Sequence, residues 1–187
     1  AAYGGFNRID FSNNEFKVHP IIIHPKRKRE LDENLLLFYT GVQRFSSDIQ
    51  ADTFAKPVDK TKQLLDMLAL VDEAEKVLTD KNTSLNEFGK LLDTTWKLKR
   101  GTGSKVSNGS IDELYDIAIK AGALGGKLLG AGGGGFLLFY CEKEKQPSLI
   151  KALESLMIVP FHFESEGAQV LYYAPAEYSP RKEILLK

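Results

Sequence analysis

Apolar and polar positions alternate twice near the start of the chain. Ile9 and Phe11 alternate with Arg8 and Asp10, and Phe16 and Val18 with Lys17 and His19, a period of two that predicts strands over 6–11 and 15–22. Ser12-Asn13-Asn14 supplies the turn between them, so the pair reads as a β-hairpin. A third strand is predicted over 34–40. The pattern then becomes helical over 43–55, 58–80 and 84–99, with Pro57 breaking the first two apart. Ser84-x-x-Glu87 has the form of a capping box, and Leu85, Phe88, Leu92 and Trp96 follow as an apolar stripe. Ser110-x-x-Glu113 is a second such box. It opens a helix whose Ile111, Leu114, Tyr115 and Ala118 face inward and which stops at Gly122. Phe136-Leu137-Leu138-Phe139-Tyr140-Cys141 reads as a buried strand, a helix begins near Pro147, and strands over 158–163 and 169–173 close the chain. Strands separated by helices around a mixed or antiparallel sheet make an α+β fold.

Between the helix that ends at Gly122 and the strand that starts at Phe136 lies the run Gly125-Gly126-Lys127-Leu128-Leu129-Gly130-Ala131-Gly132-Gly133-Gly134-Gly135, with seven glycines in eleven positions. Glycine loses more backbone entropy on folding than any other residue, so such a run marks positive φ or close approach to the backbone. One or two glycines would serve a tight helix-to-strand connection; seven exceed that need. Consecutive glycine N–H groups can converge into an anion nest, which makes the run a candidate phosphate loop with donors at Gly132, Gly133, Gly134 and their neighbours. The flanks exclude the commonest templates. A Walker A loop fails because Leu128 stands where Ser or Thr is required and Ala121 where the first glycine belongs. Gly130-x-Gly132-x-x-Gly135 matches a dinucleotide fingerprint but leads into a strand rather than a helix. The companions of a protein-kinase glycine loop are absent. The predicted order is helix, glycine loop, strand.

Composition narrows the class. Hydrophobic residues at 43% and charged residues at 27% argue for a globular chain, and 25 basic against 25 acidic residues leave no global field for nucleic acid or a membrane surface. No apolar stretch is long enough to span a bilayer. The single cysteine, Cys141, excludes an internal disulfide and reads as a small buried hydrophobe. Lys26-Arg27-Lys28-Arg29 reads as a solvated surface connection, and His162, between Phe161 and Phe163, as the exposed face of a strand. His19 and His24 have no Cys or carboxylate cluster at ligand spacing, so no metal site is expected.

The glycine run in its setting resembles the carboxy-terminal part of the GHMP kinases, the small-molecule kinases that include galactokinase, homoserine kinase, mevalonate kinase and phosphomevalonate kinase. Lys127 to Gly135 looks like the third, glycine-rich motif of that family. Within it, Ala1-Ala2-Tyr3-Gly4-Gly5-Phe6-Asn7, Asn34 to Gly41 with Arg44 just after, and Lys105-Val106-Ser107-Asn108 ahead of Ile111-Asp112-Glu113-Leu114-Tyr115 resemble the D-glycero-D-manno-heptose 7-phosphate kinase group.

That resemblance implies a GHMP-kinase carboxy-terminal domain over 31–187, preceded by a β-hairpin remnant of the amino-terminal domain over 1–30. It implies ATP and Mg2+ as cofactors, a cytoplasmic location, and a sugar or sugar phosphate as acceptor. The family's second glycine-serine motif and catalytic aspartate have no counterpart here and are expected upstream of Ala1, with most metal ligands. The chain is accordingly expected to be part of a longer enzyme, to have the missing amino-terminal half as its partner, and to be inactive alone. A homodimer is compatible with this. Nucleotide-binding residues are expected at Lys127, Gly130, Ala131, Gly132, Gly133, Gly134 and Gly135. Substrate-binding residues are expected at Tyr3, Gly4, Gly5, Arg44, Lys97, Lys99 and Arg100. Lys97, Lys99, Arg100 and Lys105 surround Gly101-Thr102-Gly103-Ser104 and read either as a loop that pairs with a phosphorylated sugar or as an ordinary basic helix end. Fucokinase-, galactokinase- or mevalonate-kinase-like activity, and a non-catalytic phosphate-binding module, are the other readings open at this point.

Overall fold

A computed structural model describes residues 2–42 and 60–171. The helix expected over 43–55, the first two residues of that expected over 58–80, and the end of the strand expected over 169–173 lie outside the described residues. Backbone contacts divide the chain into two compact units, Ala1–Pro20 with Glu164–Lys187, and Ile21–Phe163.

In the smaller unit, β1 (Asn7–Phe11) and β2 (Phe16–Pro20) form the expected antiparallel hairpin, with Ile9 opposite Val18. Gly4 and Gly5 ahead of it have φ of 63° and 66°. The Gly5 N–H donates to the Glu164 carbonyl at 3.0 Å, and the Ala168 N–H to the Ala2 carbonyl at 2.9 Å. A side chain at Gly4 would overlap the backbone of Glu166 and Gly167, so the glycine is required there by both conformation and space. Residues 169–171 are not in a strand.

The larger unit is built on a four-stranded antiparallel sheet in the order β4 (Gly125–Leu128), β5 (Phe136–Tyr140), β3 (Leu35–Tyr39), β6 (Met157–Ile158). Its helices are α1 (Pro25–Asn34), α2 (Thr61–Thr79), α3 (Asn86–Arg100), α4 (Gly109–Lys120) and α5 (Gln146–Ala152). Phe38, Leu137, Phe139 and Leu128 meet Tyr115 and Leu149 in one buried cluster. The sheet and helices together are the expected α+β arrangement. Among the described residues no helix is long and apolar enough to cross a membrane.

Several local expectations change. The run Lys26 to Arg29 is the first half of α1 rather than a loop: Pro25 occupies the first turn, and His24 Nδ1 accepts from the Lys26 N–H at 3.2 Å. Arg27 is half-buried rather than freely solvated. Its guanidinium donates to the carbonyls of Leu78 at 3.1 Å, Thr83 at 2.7 Å and Val77, which closes the end of α2. The helix around 84 starts at Asn86 without a reciprocal box. Ser84 Oγ accepts from Asn86 N–H at 3.2 Å, while Glu87 pairs with Lys90 at 2.7 Å. The Ser110 box is displaced by a better cap two residues earlier: Asn108, in extended conformation, accepts from the Ile111 N–H at 3.1 Å.

The strand expected over 158–163 shrinks to Met157–Ile158, with Val159 N–H still donating to the Leu37 carbonyl at 2.8 Å. Pro160 then has no N–H to continue the ladder. His162 is exposed as expected but off any strand, where its Nδ1 lies 2.7 Å from Asp32. Cys141 is fully buried just beyond β5, and burial pushes its thiol up to about 11.

Because Arg27 satisfies three carbonyls on α2 and the turn after it, Arg27→Met is expected to cost about 1–3 kcal/mol of stability. Urea unfolding is expected to show a lower midpoint with an unchanged slope; an unchanged midpoint would show that water serves those carbonyls equally well.

Candidate functional site

The element before the glycine loop is a strand, not a helix. Gly125 and Gly126 belong to β4, and they are glycines for packing: a Cβ at 125 would sit 2.7 Å from the Asp93 backbone nitrogen of α3, and one at 126 would sit 2.5 Å from the Leu138 carbonyl. Tyr115 of α4 completes this edge. Its hydroxyl donates to Asp93 Oδ1 at 2.9 Å and accepts from the Gly126 N–H at 3.2 Å, and burial together with the Asp93 hydrogen bond pushes its ionisation far up.

The loop proper, 129–135, is therefore the connection of a β-hairpin. Leu129 N–H donates to the Phe136 carbonyl at 2.8 Å at its mouth. Thr40, just past β3, clamps its far end: the Thr40 hydroxyl and N–H both donate to the Gly135 carbonyl at 2.9 Å, and the hydroxyl oxygen accepts from Gly135 N–H at 3.0 Å. In the middle, Gly133 N–H donates to the Val106 carbonyl at 3.0 Å. Gly130, Gly132, Gly133 and Gly135 all have positive φ.

Two of the expected donors, Gly133 and Gly135, are thus occupied in holding the loop's shape. The N–H groups of Gly130, Ala131, Gly132 and Gly134 make no protein hydrogen bond among the described residues. Gly132 is buried nonetheless. Beside the loop, Asn108 Nδ2 reaches the Gly133 carbonyl at 3.4 Å, which brings the N-terminus of α4 alongside. A cleft of about 400 Å³ there is lined by Thr40, Val42, Asn108, Ser110, Ile111 and Leu114, among others. Free amide donors and a helix N-terminus favour a negatively charged ligand.

The cations of the expected basic loop do not act as one cluster. Lys97 pairs with Asp93 at 2.6 Å on the exposed side of α3. Arg100 pairs with Asp112 at 2.8 Å and lies 6.0 Å from the Trp96 ring and 5.9 Å from that of Tyr115. Lys99 turns to the glycine loop, donating to the Gly130 carbonyl at 2.6 Å. Lys127, on β4, is half-buried, and burial disfavours its charge. Burial and then the charge of Lys127 lower the basicity of Lys99.

Tyr3, exposed and edge-on to Phe16 at 6.3 Å, belongs with Gly4 and Gly5 to the smaller unit. Arg44 lies outside the described residues. Sequence reasoning overlooked Thr40, Val106 and Asn108 as loop supports. Thr40 and Asn108 sit in stretches that carry the resemblance, but only their cross-chain bonds to the loop reveal what they do.

Residues 70–158, which include the whole glycine hairpin, match the family described as GHMP kinases C terminal. A D-glycero-alpha-D-manno-heptose 7-phosphate kinase of Campylobacter jejuni is 33% identical over 90% of this chain and 51% of its own length. The chain carries a GHMP kinase carboxy-terminal domain. It spans about half the length of that relative. The mevalonate kinase of L. major, solved with R-mevalonate, has the same fold with a TM-score of 0.70, at 20% identity over 89% of this chain and 51% of that one. A Campylobacter jejuni structure assigned as a sugar kinase gives a TM-score of 0.61 at 29% identity, over 88% and 47%. In this GHMP domain the glycine motif is a hairpin turn held by β3 and by the approach to α4.

The two kinds of glycine in the motif should separate by mutation. A Cβ at Gly132 would meet the Val106 carbonyl at 2.5 Å with φ of 126°, whereas one at Gly130, φ 77°, meets nothing within 4 Å. Gly130→Ala is expected to cost only the left-handed backbone penalty of about 1–2 kcal/mol, and Gly132→Ala distinctly more. Equal losses in chemical denaturation would mean that the Val106 contact is not constraining the loop.

Proposed function

We propose that this domain works as the carboxy-terminal half of an ATP-dependent kinase whose acceptor is a sugar phosphate, D-glycero-D-manno-heptose 7-phosphate. The observation that carries the reading is the glycine hairpin, pinned by Thr40 and Val106 yet with the amides of Gly130, Ala131, Gly132 and Gly134 unclaimed among the described residues. Amides fixed in that way form a cradle for phosphate oxygens without needing to reorganise when the ligand arrives. The 33% identity to a heptose 7-phosphate kinase supports the choice of acceptor.

ATP fits this donor set, and when bound it would supply the phosphoryl group that is transferred. Gly130, Ala131, Gly132 and Gly134 would orient its phosphate oxygens, with Gly133 and Gly135 keeping the turn in shape. The Asn108 cap and the first turn of α4 border the adjacent cleft and add a positive potential to it. The described residues gather no group of three or more His, Cys, Asp or Glu side chains to hold a metal ion, so magnesium has no fitted site among them. In this reading the metal ligands and the aspartate facing the acceptor hydroxyl belong to an amino-terminal half, to which residues 1–30 also belong, with 31–187 forming the carboxy-terminal domain. Catalysis of this type depends on positioning and charge neutralisation, and a rigid amide cradle contributes to both.

A coupled assay of ATP turnover tests the proposal, with the full-length protein that carries this chain offered heptose 7-phosphate, fucose, galactose and mevalonate, and the 187-residue chain as control. Turnover with heptose 7-phosphate and none by the control is expected. Turnover with another acceptor instead would move the substrate assignment within the family. Silence on all four would remove the kinase reading in favour of a phosphate-binding module.

A further inference from the structure

Four cations lie on the last turns of α3 and on β4, and among the described residues two of them pair with an acid. Lys97 has Asp93 and Arg100 has Asp112. Lys99 has only a neutral partner, the Gly130 carbonyl, and Lys127 makes no hydrogen bond or ion pair at all among the described residues. Both side chains are half-buried. A partly desolvated ammonium without an acid is costly, and two that repel each other are more so. Burial acts against both charges here, and on Lys99 it acts together with the charge of Lys127. No acidic side chain among the described residues pairs with either lysine.

The two lysines converge because of how α3 lies along the sheet edge. Lys127 shares a face of β4 with Gly125, two residues away, and Gly125 rests against Gly89 and Asp93 of α3. From Asp93 the helix continues to Lys99, whose ammonium reaches the loop at Gly130. The geometry at that point also separates the lysines from the loop amides. In a trans peptide the carbonyl and the following N–H point in opposite directions. Lys99 holds the Gly130 carbonyl, so the Ala131 N–H faces away from Lys99.

We propose that Lys99 and Lys127 form a second phosphate subsite, on the side of the Gly130–Ala131 peptide opposite the Ala131 amide, which takes the phosphate monoester that the acceptor already carries. The inference rests on the kinase reading above and deepens it: one phosphate position for the nucleotide on the loop amides, another for the phosphorylated sugar on the lysines. A dianion there neutralises both ammonium groups, and it leaves the Lys99 bond to Gly130 in place because an ammonium has three donors. Binding of the correct acceptor would then brace the glycine loop through Lys99.

The test uses the full-length protein that carries this chain, as wild type, Lys127→Met, Lys127→Arg and Lys99→Met. Each is titrated calorimetrically with heptose 7-phosphate, the unphosphorylated heptose, inorganic phosphate and a non-hydrolysable ATP analogue. Lys127→Met breaks no bond among the described residues, so its melting temperature without ligand is expected to equal or exceed that of the wild type. It is expected to weaken heptose 7-phosphate and inorganic phosphate by about tenfold or more, the loss of one charge-assisted contact, with the ATP analogue unchanged. Lys127→Arg should retain most of the affinity, and Lys99→Met should lose it as Lys127→Met does. Weaker binding of the ATP analogue with unchanged sugar phosphate would overturn the proposal by assigning the lysines to the nucleotide. Unchanged affinity for every ligand would overturn it outright. If the wild type binds no heptose 7-phosphate but binds inorganic phosphate through Lys127, the assignment of heptose 7-phosphate as acceptor fails while the lysine subsite stands.

Discussion

The approach of α3 to the edge strand β4 is closer than any side chain on that strand would allow, and much of the site depends on it. Gly125 touches the backbone of Gly89 and Asp93, and Gly89 in turn faces the Tyr140 ring, where a Cβ would lie 2.7 Å from Cδ1. With helix and strand backbones in contact, Asp93 reaches the Tyr115 hydroxyl of α4, and Tyr115 binds the Gly126 amide. Three elements are thereby locked at one edge. The same helix then delivers Lys99 to the Gly130 carbonyl of the glycine loop, just past the end of β4.

Rigidity of the loop comes from outside the loop. A seven-residue turn with several glycines would sample many conformations on its own, since glycine restricts its backbone least. Thr40 just past β3 holds Gly135, and Val106 from the segment before α4 holds Gly133. These anchors occupy the amides of Gly133 and Gly135 and, among the described residues, leave those of Gly130, Ala131, Gly132 and Gly134 free. Such a division suits a ligand cradle: part of the hydrogen-bonding capacity fixes the shape, and the rest stays available to an anion. Placing this turn in a hairpin rather than at a helix start also distinguishes it from other glycine-rich phosphate loops, in which the helix itself carries the positive end.

The core explains why the chain can hold these features. Leu137 and Phe139 of β5 lie on the face shared with Phe38 of β3 and Leu128 of β4, and Tyr115 packs against Phe139 at 5.6 Å between ring centroids. The residue that positions Gly126 is therefore itself fixed by the sheet's interior. On the other face, Tyr140 donates to Asn86 Oδ1 at 3.2 Å and accepts from Asn34 at 3.0 Å, tying α3 and α1 to the strand that leaves the loop. Both exits of the glycine hairpin are anchored by buried aromatic hydroxyls.

Much of the secondary structure was legible along the chain because it rests on local periodicity. The hairpin at Asn7–Pro20, the strand Leu35–Tyr39, the stripe ending at Trp96 and the inward face of α4 follow from which neighbours are apolar. The glycine motif, too, announced itself as a special backbone. What the sequence could not separate was the use of each glycine, since a packing glycine at 125 and a positive-φ glycine at 132 look alike until a neighbouring backbone is beside them. The basic residues around 97–105 and 26–29 were equally ambiguous. Their roles depend on partners such as Asp112 for Arg100, Gly130 for Lys99, and the end of α2, about 50 residues from Arg27. Composition and pattern alone determined that this is an α+β chain with an unusual glycine turn, because those properties are local. Which amides and lysines the described residues leave unpaired, only the tertiary structure decided, because hydrogen bonds and ion pairs are made across the chain rather than along it.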